Sequence, residues 1–408
     1  MGGQKPLNIL YLSYDGMTDP LGRSQVLAYL EKLSSPAFTF SIISYEKEDL
    51  FRLYRSQINE ICKRSNIDWY PLSYTKSPPI ISTVYDLWQG WRLLKRLARV
   101  KSIDILHCRG YITAILGLRG RSRIGAKFIF DMRGFWADEK KESGHWSGLV
   151  YQPIYHYFKR LEKKFFKQSD AVISLTEVGK RYIVDQNWAE ESKVSVIPTC
   201  VDFNLFPSFD ITTRERIRKE LGIDLNDIVF IYSGSLGGNY PVDHLLRIFQ
   251  DCHSNYSNSW SLILTKADKQ LVYEDPFWKD YLFKKRLIML SSNIDQVHQY
   301  LMAADFGIIF YKEGFSNLGR APTKLGEYLA CGVTPVYQET VGDLEFYVNK
   351  NQELNSQLKK MGTQSDASEK MKLHSLALSN FGIKKGIKNY REIYSRLRDD
   401  KVNEPSIS

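Results

Sequence analysis

The stretch DFGIIFYKEGFSNLGRAPTKLGEYLACGVTPVYQ, residues 305–338, sets two short apolar runs on either side of a loop and a helical segment. DFGIIFY (305–311) and TPVYQ (334–338) are too short for buried helices and rich in residues that strands favour. Between them Leu325, Leu329 and Ala330 recur at helical spacing behind Pro322, whose fixed φ suits a first helical turn. Strand, helix and strand joined in this way make a βαβ unit, and only a parallel sheet accommodates it.

The same alternation runs through the chain. DIVFIYSGS (227–235), WSLILTK (260–266) and RLIMLSS (286–292) belong to the same series, which a break at DFNLFPSFD (202–210) separates from an earlier one. That earlier series holds LNILYLSY (7–14), FTFSIISY (38–45), IDWYPLSY (67–74), DILHCR (104–109), KFIFDMR (127–133), DAVISLT (170–176) and KVSVIPTCV (193–201). Helical stretches separate the runs, so two successive parallel α/β domains are expected, at 1–205 and 206–382. A last helix, roughly 383–398 within the segment 383–408, is expected to pack back on the first domain, with the tail KVNEPSIS disordered.

The totals agree with this division. A chain of 408 residues exceeds one ordinary core, and 43% hydrophobic with 25% charged residues is a globular composition. No run approaches the roughly 18 apolar residues of a membrane-spanning helix, and LNILYL reads as a first strand rather than a signal peptide. Five scattered cysteines without Cys-x-x-Cys spacing imply neither a disulfide framework nor a zinc site, which suits a reducing cytoplasm. Charge is uneven: residues 1–205 hold 30 Lys and Arg against 21 Asp and Glu, the remainder 26 against 25. The basic half is expected to face something anionic: phospholipid, a phosphorylated substrate or nucleic acid. The pI of 9.1 would suit nucleic acid, but no RRM, KH or zinc-finger pattern is present, so no nucleic-acid partner is expected.

Parallel sheets bind ligands beyond the carboxyl ends of their strands, where helix N-termini offer free N–H groups. Two loops of the second domain stand out. YSGSLGGNYP (232–241) places Gly234, Gly237 and Gly238 before a helix, which suits either close approach to a phosphate or a tight turn with no ligand. In the opening stretch, the N–H groups around Thr323 and Lys324, with the Lys324 and Arg320 side chains, make an anion site suited to a diphosphate. Glu327, one turn on, could accept two hydrogen bonds from a ribose 2′,3′-diol. Phosphate at the helix start and diol one turn later describe a nucleoside diphosphate. The alternative is a glutamate that merely complements the helix dipole, worth ~0.3–1 kcal/mol.

Five segments, in order, carry a more specific signal: SYDGMTDPLGRSQVL, KFIFDMRGFW, RLEKKFFKQSDAVISLTEVGKRYI, YSGSLG and PTKLGEYLACG. Together they resemble a retaining glycosyltransferase of the GT-B fold, and more narrowly bacterial glycosyltransferase family 4. The resemblance implies two Rossmann-like domains with parallel sheets facing across a cleft. A sugar nucleotide, UDP- or GDP-linked, would bind the second domain and an acceptor largely the first; no other cofactor and no metal is implied. Glu327 then matches the residue that binds the donor ribose. Thr323 and Lys324 lie beside the diphosphate, Ser235 and Gly234 occupy the loop facing it, and Gly22 matches a glycine loop that closes over the donor. Two positions depart from the pattern. Eight residues before Glu327, where a second glutamate near the sugar hydroxyls is usual, stands Gly319. Ser235 and Tyr240 stand where an Arg and a Lys are common, which would leave the diphosphate to Arg320 and Lys324.

In KFIFDMR the resemblance leads one to expect a histidine near the anomeric carbon, and this chain has Asp131, followed by Arg133. Asp131 is a candidate to orient the acceptor hydroxyl or to stabilise positive charge on the sugar, and equally a loop cap. Arg133 could bind an acceptor phosphate or the leaving diphosphate. Asp15 and His107 end strands where an acceptor would lie, and each has a structural alternative, as a turn cap and as a core histidine. Arg23 completes the candidate acceptor contacts. No Asp-x-Asp offers a metal clamp, so basic side chains and helix N-termini would stabilise the departing charge. The resemblance favours a front-face route in which the leaving phosphate takes the acceptor proton.

Two basic segments interleaved with aromatics suit an anionic leaflet, and so a location in the cytoplasm, peripheral on the inner face of the membrane. In YDLWQGWRLLKRLARVK (85–101) the stripe is Trp88, Trp91, Leu94 and Leu97; in YQPIYHYFKRLEKKFFK (151–167) covering the sheet is the stronger demand. The expected activity is sugar transfer to a glycan or polyprenyl-linked acceptor. A sugar-nucleotide epimerase of the same architecture, which would turn over donor alone, and a catalytically silent nucleotide- or membrane-binding scaffold are the alternatives.

Overall fold

The computed structural model describes residues 5–337, 341–347 and 367–403. They form two compact units, the first from 5–137, 152–198 and 383–403, the second from 138–151 and the described residues of 199–382. The end of the last strand-like run, Gln338, and the tail from Glu404 lie outside the described residues.

The first unit is built on β1 (Leu7–Ser13), β2 (Phe38–Glu46), β3 (Ile67–Ser73), β4 (Ile105–Arg109), β5 (Lys127–Asp131), β6 (Ala171–Ser174) and β7 (Val194–Val196). All pair in parallel in the order β3-β2-β1-β4-β5-β6-β7. β1, β4 and β5 are buried along nearly their whole length because helices cover both faces of such a sheet. The order reverses between β1 and β4, and this switch point is where an open α/β sheet holds ligands. The final helix, Ile383–Asn403, lays Ile387, Tyr390, Ile393, Tyr394 and Leu397 into this unit. Its Tyr394 ring meets Phe38 and Phe40 at 5.8 and 5.9 Å.

The second unit holds β8 (Ile228–Ser233), β9 (Ser259–Leu264), β10 (Leu287–Leu290), β11 (Phe306–Ile309) and β12 (Thr334–Tyr337), parallel, in the order β10-β9-β8-β11-β12. Period-two alternation divides β8 between two cores. Val229 and Ile231 pack with Leu325, Tyr328 and Leu329; Phe230 and Tyr232 pack with Leu245, Leu246 and Phe249. Below the sheet, buried Asp305 receives Arg214 and Arg218 at 2.7 Å each and the Val229 N–H at 2.9 Å, so its charge is paired. The switch point here lies between β8 and β11, whose following loops are 234–241 and 310–322.

The helix Ile81–Val100 corrects one expectation. Its buried residues are Ser82, Asp86, Gly90, Leu94 and Leu97, which lie on one face at 100° per residue. Trp88 falls about 120° from that face and is 50% exposed, with Ile80, Ile81, Val84 and Tyr85 also open. The stripe of Trp88, Trp91, Leu94 and Leu97 is therefore divided between core and surface. In the helix Gln152–Gln168, Phe165 and Phe166 are core residues, set at an angle to Phe130, with Phe166 stacked on Trp188.

Candidate functional site

In the second unit the opening stretch folds as a strand, a short 3-10 turn at Phe315–Gly319 and a helix Thr323–Ala330 capped by Pro322. Leu325 N–H turns back to the Pro322 carbonyl, which leaves the Thr323 and Lys324 N–H groups as free donors of the first turn. Lys324 is buried between aromatic rings. Its Nζ sits 4.3 Å from the ring centres of Tyr232 and Tyr240 and 5.8 Å from that of Tyr311, and donates to the Tyr232 hydroxyl at 3.1 Å. Gly234 makes this possible: a Cβ there would lie 2.7 Å from Lys324 Cε, and its φ of +139° belongs to glycine.

Glu327 stands one turn further on, half-buried, and its carboxyl accepts no hydrogen bond among the described residues. Burial pushes the Lys324 ammonium down to about 7 and the Glu327 carboxyl up to about 7, each held partway back by the other's opposite charge. Arg320 lies over the Tyr311 ring at 5.0 Å, and its Nε is buried without a partner. Ser235 is exposed at the loop's start, its carbonyl accepting from the Tyr232 hydroxyl at 2.5 Å. Arg320, Thr323, Lys324, Glu327, Ser235 and Gly234 are thus gathered around one point at the switch of the sheet. Unspent cationic donors beside an unspent carboxylate fit a ligand that is anionic at one end and rich in hydroxyls nearby.

Three features of this site carried no local sequence signal. Tyr232 from the end of β8 and Tyr240 and Tyr311 from two following loops close around Lys324, and Tyr240 does so at the position where the resemblance had suggested a lysine. The short helix Trp136–Glu142 also brings two carboxylates here. Glu142 accepts from the Ser316 N–H at 3.2 Å and its hydroxyl at 2.5 Å; Glu139 accepts from Asn239 Nδ2 at 3.1 Å and lies 3.5 Å from Arg320 Nη2.

The first unit gathers a second cluster at its switch point. Asp131 is completely buried, with Oδ2 3.6 Å from His107 Nε2 and 3.9 Å from Arg109 Nη1, and Oδ1 3.7 Å from Arg133 Nη1. Among the described residues neither Asp131 oxygen has a hydrogen-bond partner, nor do His107 Nε2 and Arg109 Nη1. Four such atoms at one place cost stability, about 1–3 kcal/mol for each unsatisfied group, and such groups call for a functional explanation. Burial acts to raise the Asp131 carboxyl, but Arg133, His107 and Arg109 outweigh it and hold the pKa below the usual range. Burial holds the His107 imidazole below its usual value, hence neutral, while its Nδ1 pairs with the Tyr394 hydroxyl at 2.9 Å. Arg133 adopts φ +56°, uncommon for a residue with a Cβ, followed by Gly134 at +108°. That turn leaves its guanidinium 17% exposed while the carboxylate beneath it is sealed.

The acceptor candidates separate. Asp15 is half-exposed and accepts from Arg109 Nε at 3.3 Å, so it joins the cluster through an arginine unmarked in sequence. His107 lies wholly inside the core, stacked on Tyr11 at 4.3 Å. Arg23 stacks on Tyr54 at 4.2 Å. Gly22 is buried, and a Cβ there would come 1.9 Å from the Gly16 carbonyl oxygen. Its glycine is thus demanded by backbone packing.

The family model of Glycosyltransferase Family 4 matches residues 41–205. No curated protein matches the chain in sequence. Solved structures match it in fold. HepE of Anabaena, in complex with UDP and glucose, aligns over 96% of this chain and 100% of its own, at 13% identity and a TM-score of 0.67. WaaG, a glycosyltransferase involved in lipopolysaccharide biosynthesis, aligns over 94% and 99% at 14% identity and 0.65. The N-terminal domain of a Candida albicans trehalose-6-phosphate phosphatase aligns over 97% and 98% at 14% identity and 0.67. The fold is therefore GT-B, with two Rossmann-like domains, and residues 41–205 resemble glycosyltransferase family 4. Proteins of different names share this fold, so the likeness establishes architecture, and activity has to be argued from the site.

Proposed function

We propose that the chain is a retaining glycosyltransferase, which moves a sugar from a nucleotide-diphosphate donor to a glycan or polyprenyl-linked acceptor in surface polysaccharide or glycolipid synthesis. One observation carries this: the Lys324 ammonium, which gives one hydrogen bond to Tyr232, the Arg320 Nε and the first-turn N–H groups keep donors free among the described residues beside a Glu327 carboxyl that accepts none. In this account the diphosphate rests on the first three and the ribose diol on Glu327. HepE was solved with UDP and glucose, which puts UDP-linked sugars first among the donors to try.

The anomeric carbon–phosphate bond breaks, the acceptor oxygen bonds to that carbon, and the acceptor proton passes to the departing phosphate oxygen. Positive side chains already in place stabilise the leaving diphosphate without rearrangement. In the first unit we assign Arg133 to an acceptor phosphate. Asp131, sealed beneath it, is a positioning residue that holds Arg133 and Arg109. No described helix is long and apolar enough to cross a membrane. Residues Ile80, Ile81, Val84, Tyr85 and Trp88 instead offer an exposed apolar end to a helix whose Arg92 stacks on Trp88 at 4.6 Å. We assign that end to peripheral contact with an anionic leaflet, beside a lipid-linked acceptor.

The test is a thermal-shift screen of UDP- and GDP-linked hexoses and N-acetylhexosamines. A true donor raises the midpoint by mass action, about 2.7 kcal/mol of stabilisation at a hundred times Kd. The absence of any shift across the screen would remove the donor site. Turnover of donor with no acceptor present would favour the epimerase, and binding without turnover the silent scaffold.

A further inference from the structure

Gly319 brings no side chain to the site, yet carboxylates are present there, from a distant part of the chain. Residues 138–151 belong to the same compact unit as the loop 310–322. Glu142 anchors that loop. Both its oxygens take the Ser316 N–H at 3.2 Å, one takes the Ser316 hydroxyl, and its backbone carbonyl takes Lys312 Nζ at 3.0 Å. A Cβ on Gly314 would sit 2.3 Å from this carboxylate, so the anchor is closely fitted. Glu142 has no acceptor to spare.

Glu139 does. Its Oε1 takes Asn239 Nδ2 at 3.1 Å and lies 3.5 Å from Arg320 Nη2. Its Oε2 has no partner among the described residues, and the side chain is 36% exposed. The location is informative. A carboxylate beside the guanidinium of a diphosphate site repels the diphosphate itself, so it weakens binding unless the same ligand also offers donors. Hydroxyls are such donors, and a charge-assisted hydrogen bond to them is stronger than a neutral one. The hydroxyl-bearing group attached to a nucleoside diphosphate, apart from the ribose already matched by Glu327, is the sugar.

We propose that Glu139 reads the transferred sugar, taking its hydroxyls on the free oxygen while Asn239 and Arg320 hold the other. This rests on the donor site proposed above and adds the sugar end to it.

The experiment compares Glu139→Gln with wild type by calorimetry, against UDP and GDP alone and against UDP-glucose, UDP-galactose, UDP-N-acetylglucosamine and GDP-mannose. For the sugar nucleotide that wild type binds, the variant should lose about 10- to 100-fold in affinity, while affinity for the bare nucleotide, relieved of the carboxylate's repulsion, should hold or tighten. Glu139→Asp, which keeps the charge, should restore part of the loss, and both variants should melt like wild type. Equal losses for nucleotide and sugar nucleotide would mean that Glu139 only holds Arg320, and no loss for either would mean that it does nothing; both overturn the proposal. Wild type that binds none of these ligands fails the donor site itself, a failure seen before any variant is made.

Discussion

Glu327 and Lys324 lie three residues apart with opposite charges, both pushed to about 7 by burial. A diphosphate favours the protonated lysine, and a diol favours the ionised glutamate. Binding therefore takes up a proton at Lys324 above pH 7 and releases one from Glu327 below it. Affinity for a nucleotide sugar should rise with pH from about 4.5 to 7 and fall from about 7 to 10. The nucleotide sugar is the right probe, because a terminal phosphate titrates on its own near 6. Glu327→Gln should flatten the acid limb and Lys324→Met the alkaline one; a pH-independent affinity between 5.5 and 9 would contradict the assignment. Arg133 poses the complementary case. Its left-handed backbone costs on the order of 1–3 kcal/mol. Arg133→Asn, a residue at ease in that conformation, strips buried Asp131 of a charge partner, so it should lower the melting temperature and cut turnover by about 100-fold or more. A fully active variant would contradict the role.

At the scale of elements, the strands were legible because the sheets are parallel and covered on both faces. That demand writes continuous apolar runs such as FIFD in β5 and IVFIY in β8. The proposed nucleotide anchor was legible for a similar reason, since Pro322, Lys324 and Glu327 fall within one turn and a half of a single helix. The rest of the site is distributed. Tyr232, Tyr240 and Tyr311 come together only when β8 and β11 become neighbours, and Glu139 comes from a helix about 180 residues upstream. The helix Ile81–Val100 departs from expectation for another reason: nine apolar residues among the seventeen of 85–101 fit more than one stripe, and only the sheet decides that Leu94 goes in and Trp88 stays out. Gly234 tests the loop directly. Gly234→Ala must strain φ +139° and drive Lys324 from its cage. It should destabilise the protein by about 1–3 kcal/mol and weaken nucleotide binding at least 10-fold. A stable variant with full affinity would mean that Lys324 does not hold the phosphates.

For the molecule as a whole, charge and exposed apolar surface occur together in the first unit. The chain carries a net +10, almost all of it before residue 205. The exposed end of the helix Ile81–Val100 is an apolar patch that carries basic residues on the same helix. Sedimentation with vesicles should show binding to phosphatidylglycerol-containing membranes that salt reverses, since each basic residue near the surface adds about 1 kcal/mol. Trp88→Glu should lower that binding roughly 10-fold. Equal binding to zwitterionic vesicles, or none to either, would remove the membrane from the account. Neither outcome would touch the central claim, which concerns the donor. Its most direct test is calorimetric titration of a nucleotide sugar found by the screen into wild type and Glu327→Gln. The account predicts at least a 10-fold weaker Kd for the variant, with unchanged melting of the free protein; the same Kd for both would contradict it.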